Sequence, residues 1–220
     1  MAKVPAVDYS QFRLQKINDP EYAHMKLLIS WPLYFLAFIL TERWIPYDRC
    51  SVIYSRLDDV IPFCEYFIIP YVLWYALVAG SLVYFLLYRI KSFQYLQKYI
   101  IILEIVAIAV YILFPNRQDL RPSHFARENF FTQAVKLLYR VDTSTNVCPS
   151  MHVAFSVAIA SAWTKEQNVS RAVKTTIVLF VIAVCLSTVF LKQHSVVDGF
   201  AAIAVCLLAE WILIRKKKNR

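Results

Sequence analysis

Glycine is almost missing from this 220-residue chain, in which Gly80 and Gly199 are the only two. A phosphate-cradling G-x-x-x-x-G-K loop or a G-x-G-x-x-G dinucleotide turn needs several glycines close together, so nucleotide chemistry by either route is excluded. Charge is also sparse, with Asp, Glu, Lys and Arg making up 18% of the chain. The five cysteines, Cys50, Cys64, Cys148, Cys185 and Cys206, include no C-x-x-C pair and have no histidine at ligand spacing, which argues against structural zinc. Cys50 and Cys64 share one loop and could pair in an oxidising compartment, although free thiols are the simpler reading. No short basic leader precedes the first apolar run, so that run is expected to be retained rather than cleaved.

What is abundant is apolar surface, at 59% of residues with 15% aromatic. That exceeds what a soluble domain of this length can bury, and a bilayer is the simplest place for it. Six runs approach the length needed to cross a hydrocarbon core of about 30 Å. They are Leu27 to Leu40, Tyr66 to Tyr88, Tyr99 to Phe114, Pro149 to Trp163, Thr175 to Leu191 and Val196 to Ile214. The first is short and contains Pro32, so it is expected to lean on Lys26 and Trp44 at the interfaces. Helices are predicted throughout, because each run must satisfy its own backbone in lipid and none alternates like a barrel strand.

The predicted fold is therefore all-α: a polytopic membrane protein with six transmembrane helices. Residues 1–26 form a cytoplasmic N-terminal segment, 27–214 the transmembrane domain, and 215–220 a basic cytoplasmic tail. The formal charge of +9 does not point to nucleic acid, since the basic residues sit in short clusters between apolar spans. Fifteen Lys and Arg fall on the side of the two termini and nine on the other, which puts both termini inside. The tail RKKKNR would anchor the last helix, although Lys217 and Lys218 also resemble a dilysine retrieval signal. The long segment from Pro115 to Cys148 then lies outside, and its middle, His124 to Arg140, has the apolar spacing of a short interfacial helix between spans three and four.

Three polar clusters converge on that outer face: Asn116 to Pro122, Cys148 to His152, and Ser187 to Asp198. His194 and Asp198 are four residues apart, a helical spacing that lets the carboxylate hold one ring nitrogen and leave the other free as a nucleophile. His152 opens the fourth run after Pro149 and Ser150, where a helix N-terminus favours an anion, and it suits a general acid. Glu104, inside the third run, is either a functional carboxylate or an interhelical hydrogen bonder. Glu210 needs only an interfacial placement, and His24 and His124 read as ordinary interfacial residues.

With these residues in place the sequence resembles the type 2 phosphatidic acid phosphatase superfamily, whose signature is K-x6-R-P, P-S-G-H and S-R-x5-H-x3-D on six transmembrane helices. Arg121-Pro122, Pro149-Ser150-Met151-His152, and Ser187 with His194 and Asp198 match those motifs. The resemblance implies His194 as nucleophile, Asp198 as its partner, His152 as proton donor, and Arg121, Ser150 and Ser187 as phosphate contacts, with no metal or cofactor. The chain departs from the pattern at Phe114, Met151 and Thr188, which stand where the family has lysine, glycine and arginine. Two cationic ligands are thus absent, and Arg117 and Lys192 are the nearby substitutes.

The expected function is removal of phosphate from a lipid phosphate or pyrophosphate through a phosphohistidine, at a bacterial plasma membrane. The reduced cationic set is also similar to that of sphingolipid headgroup transferases, which pass the group to a lipid alcohol. A non-catalytic transporter or scaffold is the remaining reading.

Overall fold

A computed structural model describes residues 5–218, with side chains to Arg215. Of the expected basic tail, the side chains of Lys216, Lys217 and Lys218, and Asn219 and Arg220 entirely, lie outside the described residues, as does Lys3 at the other end. Eight α-helices follow in order: α1 Ser30–Trp44, α2 Arg56–Val60, α3 Ile68–Tyr88, α4 Ile90–Leu113, α5 Phe130–Val141, α6 Met151–Lys165, α7 Arg171–Phe190 and α8 Val196–Lys218. Among the described residues, five helical stretches are long and apolar enough to cross a membrane: Ala23–Trp44, Glu65–Tyr88, Ile90–Leu113, Arg171–Phe190 and Val196–Arg215. The protein is an integral membrane protein.

The stretch expected as the fourth span is α6, whose 15 residues reach only about 22 Å. It is the central helix, packed on α3, α4, α7 and α8, and buries Phe155, Ala158, Ile159 and Ala162 among them. Its neighbours shield it from lipid, which is why it tolerates the buried Ser156 and half-buried Ser161 along its length.

Two boundaries differ from expectation. The first span is longer than its apolar run, because a 3-10 segment, Ala23–Ile29, leads directly into α1. Pro32 sits just past the junction where the 3-10 segment passes into α1. The polar loop expected at 89–98 is absent. Only Arg89 links α3 to α4, since Phe93, Leu96 and Gln97 face the core and carry the helix through.

The residues before α1 are also packed rather than trailing. The Tyr9 hydroxyl donates to the Leu86 carbonyl at 2.8 Å and meets His24 Nε2 at 2.9 Å. His24, expected at an interface, is buried against the edge of Phe93.

At the opposite end of the bundle, the connections α1–α3, α4–α6 and α7–α8 come together. A short parallel pair of strands, β1 Ser51–Val52 and β2 Asn116–Arg117, ties the first two. α5 begins at Asn129, which caps it, rather than at His124, and it covers Ile68, Tyr71 and Leu191 with Val135 and Leu138. All five cysteines are free thiols.

Candidate active site

His194 precedes α8 rather than lying on it, and the reason is local. α7 ends at Phe190 and Lys192 takes a left-handed conformation (φ 53), the usual way for a chain to leave a helix. The Gln193 and His194 N–H groups then both donate to the Thr188 carbonyl, at 3.0 and 3.1 Å. Thr188, standing where the family pattern has arginine, thus shapes the turn with its backbone.

Ser195 and Asp198 next form a capping box on α8. The Ser195 hydroxyl accepts the Val197 N–H at 3.2 Å, and Asp198 Oδ2 accepts the Ser195 N–H at 2.9 Å. The same Oδ2 takes the bond from His194 Nδ1 at 3.2 Å. One fully buried carboxylate therefore starts the helix and orients the imidazole. The four-residue spacing works through a helix cap, not through two turns of one helix.

Asp58 supports this turn from outside. Its capping box with Ser55 starts α2. Its Oδ2 accepts the Ser195 hydroxyl at 2.6 Å, and its Oδ1 accepts the Val196 N–H at 2.9 Å. Two carboxylates thus meet the N-terminus of α8, where the positive end of the helix dipole favours them. The S-x-x-D pattern at Ser55–Asp58 was the one signal in the sequence that marked Asp58, and it indicated a helix start, not a link to a residue more than a hundred positions away.

His152 lies in the first turn of α6, capped by Ser150. The Ser150 N–H donates to the Asp198 carbonyl at 3.1 Å, so the N-termini of α6 and α8 are held side by side. The His152 ring stacks on Tyr71 (centroids 4.3 Å apart), lies 4.1 Å from the Trp74 ring and is 6.0 Å from His194. Its Nε2 is buried with no protein partner, as is Asp198 Oδ1.

Asn116 positions the approach to α6. Fully buried, it accepts from the Val147 and Cys148 N–H groups at 2.9 and 2.8 Å and donates to the Phe114 and Cys148 carbonyls. The Cys148 thiol sits beside Asp198, and burial with that carboxylate pushes its pKa up to about 12.

The candidate phosphate contacts divide. Ser150 and Ser187 are fully buried at helix ends, but the Ser187 hydroxyl donates to the Val184 carbonyl at 2.6 Å. Arg121 reaches the residue next to His194, bonding Gln193 Oε1 at 2.5 Å, the Thr143 carbonyl at 2.8 Å and the Tyr139 carbonyl at 3.1 Å. Burial lowers its pKa from the usual guanidinium value.

Lys192 and Arg117 point elsewhere. The Lys192 ammonium is held by the carbonyls of Asp58 and Ile61, at 2.6 and 2.5 Å, where the last turn of α2 leaves them free. Arg117 lies over the Tyr47 ring and pairs with Asp119 at 3.3 Å. Neither lines the cavity described next, and Arg121, Ser150 and Ser187 do not line it either.

A cavity of about 680 Å³ opens at His152 and His194 and continues as an apolar space between α1 and α3. Trp74, Val78, Leu82 and Leu86 form one stripe of its wall, with Trp31, Phe35 and Phe38 opposite and Phe93 near its far end. At the histidine end it is lined by Asp142, Thr143, Thr145 and Gln193.

Glu104 lies outside this cavity, buried against Ser30 of α1 with Oε1 unpartnered. No curated protein and no solved structure matches this chain. The family model of the PAP2 superfamily matches residues 98–220, more than half of the chain and all three polar clusters. A helical membrane protein that gathers those clusters at one end of its bundle, and carries that match, belongs to the PAP2 superfamily, whose members show phosphatase-type activity on phosphate esters.

Proposed function

We propose that the protein is a lipid phosphatase that works through a phosphohistidine on His194. The observation that carries this reading is the His194–Asp198 pair facing His152 at the polar end of an apolar cavity. With Nδ1–H donating to Asp198, His194 keeps the Nε2 lone pair for attack on phosphorus. The ester oxygen leaves with a proton from His152, whose unpartnered Nε2 is free for that purpose. Water then attacks the phosphohistidine, releases inorganic phosphate and restores the imidazole. The N-terminus of α6 supplies positive potential where the pattern lacks lysine and arginine, since that of α8 is already met by Asp58 and Asp198.

The cavity supports a lipid as the leaving alcohol. From Trp74 to Leu86 the α3 stripe climbs about 18 Å, the extent of a long hydrocarbon chain lying along the bundle. We also read α6 as the sixth span, counted with the five longer helices, and place both termini in the cytoplasm with the histidines outside. The plasma membrane, bacterial by the expectation above, is the corresponding location. A lone cysteine at Ser123, in a chain otherwise free of cysteine, should react with an impermeant thiol reagent from outside; labelling only in inverted vesicles would reverse the topology.

The direct test incubates purified protein with radiolabelled lipid phosphates, with and without acceptor alcohols. Free phosphate released without acceptor, and lost in His194→Ala by at least ~10⁴-fold with the fold retained, is expected. Product formed only with an acceptor would make the protein a transferase. Full activity in His194→Ala would remove the phosphohistidine.

A further inference from the structure

The two histidines of the site are held in different ways. His194 is aimed by the hydrogen bond from its Nδ1 to Asp198. Among the described residues no carboxylate does this for His152, whose Nε2 has no partner. Its ring is packed instead among three rings of α3. Tyr71 lies against it with centroids 4.3 Å apart and planes inclined by 26°, Trp74 is 4.1 Å away, and Tyr75 meets it edge-on at 6.3 Å. A proton donor must present its nitrogen to the oxygen it protonates, so the aim of His152 depends on what fixes those rings.

Tyr71 is the ring that the rest of the site holds. It is fully buried and its hydroxyl donates to Asp142 Oδ2 at 3.0 Å, whereas Trp74 Nε1 is buried without a partner. Asp142 is the residue at which α5 ends, and α5 packs Val135 and Leu138 in one cluster with Tyr71, so the carboxylate is delivered to the phenol by a docked helix. The same Oδ2 accepts Gln193 Nε2 at 3.3 Å, and Gln193 Oε1 accepts from Arg121 at 2.5 Å. Gln193 immediately precedes His194. One carboxylate therefore links the ring packed on His152 to the turn that carries His194. An aromatic face also favours a cation lying on it, and His152 carries a positive charge until it gives up its proton.

We propose that Asp142 and Tyr71 are positioning residues for the proton transfer: the carboxylate fixes the Tyr71 ring, and that ring aims His152 Nε2 at the oxygen leaving the phosphorus attacked by His194. This rests on the phosphoesterase reading above. In the step concerned, a bond forms between His194 Nε2 and phosphorus, the bond from phosphorus to the ester oxygen breaks, and the His152 Nε2 proton moves to that oxygen. Tyr71 and Asp142 exchange no bond in it and act only through the angle at which His152 is held.

The experiment uses the full chain in detergent and two substrates: phosphatidic acid, whose alkyl oxygen must be protonated as it leaves, and p-nitrophenyl phosphate, whose leaving group needs no proton. The quantity read is the ratio of kcat on the first to kcat on the second, with the denaturation midpoint of each variant measured alongside. Tyr71→Phe, which keeps the stacked ring and loses its tether, should lower the ratio ~10-fold, and Asp142→Ala should lower it by the same factor. Because Asp142 acts through Tyr71, the double variant should fall no further than either single. Asp142→Asn, which keeps an acceptor for the hydroxyl, should recover most of the ratio. Equal losses on both substrates would assign the two residues to the fold alone and overturn the proposal. So would single losses that multiply to ~10²-fold in the double variant. In both of those cases phosphate release by the wild type leaves the phosphoesterase intact, whereas a wild type that turns over neither substrate overturns both.

Discussion

The two ends of the helix bundle use polar residues in opposite ways. At the end near the chain termini, Glu210 accepts from the Tyr95 hydroxyl at 2.6 Å, the Ser161 hydroxyl at 2.8 Å and the Lys165 ammonium. Glu166 accepts the Ser92 hydroxyl at 2.6 Å and lies 3.4 Å from Arg89. These contacts join α4, α6 and α8, and both carboxylates are occupied. At the histidine end, His152 Nε2, Asp198 Oδ1 and Arg121 Nε are buried without partners. Buried polar atoms are ordinarily paired, because leaving one unmet costs about 1–3 kcal/mol. A filled cluster is explained by holding helices together. Arg89 Nε at the filled end and Glu104 Oε1 and Ser156 Oγ within the bundle are unpartnered as well, so it is the gathering of three such atoms beside the cavity that fits the ligand site proposed above.

Substitutions at the two ends should break along that line. The largest effect is expected for His152→Gln, which should lower kcat on an alkyl lipid phosphate by ~10²–10⁴-fold. The loss should be small on an aryl phosphate, whose leaving group needs no proton; equal losses on both substrates would deny His152 the acid role. Asp58→Ala comes next, because it removes two acceptors from the α8 N-terminus and leaves the Ser195 hydroxyl and Val196 N–H without their partners. A stability loss of ~2–3 kcal/mol, measured as a lower denaturation midpoint in detergent, should accompany reduced activity as the His194 turn loosens. An unchanged midpoint would mean that Asp58 does not hold the turn.

At the filled end, Glu210→Gln should cost under ~1 kcal/mol, since Lys165 is half exposed and solvent screens the pair. Its kcat should stay at the wild-type value; a drop would mean that the far end is coupled to the histidines. The smallest effect is expected for Arg117→Gln, within ~0.5 kcal/mol of wild-type stability and with KM unchanged. A tenfold rise in KM would show that the guanidinium leaves Tyr47 and Asp119 to bind phosphate.

The contrast also explains what was legible beforehand. Long apolar runs announce themselves, and four of the five long helices were evident as spans within a few residues at most ends. The start of α4 was not, because Lys91, Gln94 and Lys98 look like a loop until Phe93 and Gln97 are seen to be buried. Glu104 was recognisable as a buried carboxylate, but its neighbour Ser30 was not. Glu210 looked merely interfacial, since nothing in the local sequence reveals that Tyr95 and Lys165 converge on it.

That His152, His194 and Asp198 would come together was expected from motif spacing, whereas the contacts of Asp58, Asn116 and Asp142 were hidden, since each reaches a residue far away in sequence. Lys192 shows the converse. Two positions from His194 in sequence, it is turned away by a left-handed backbone conformation and held by the end of α2.

By itself the sequence determined the class of molecule and its chemical vocabulary. Apolar run length answers to bilayer thickness, and short motifs carry their own spacing, so both are local properties. Only the tertiary structure decided which cations reach the histidines, which carboxylate starts α8, and that an acid lines the cavity. Those outcomes depend on where helix ends and loops meet, which is set by the packing of α3, α4, α7 and α8 around α6.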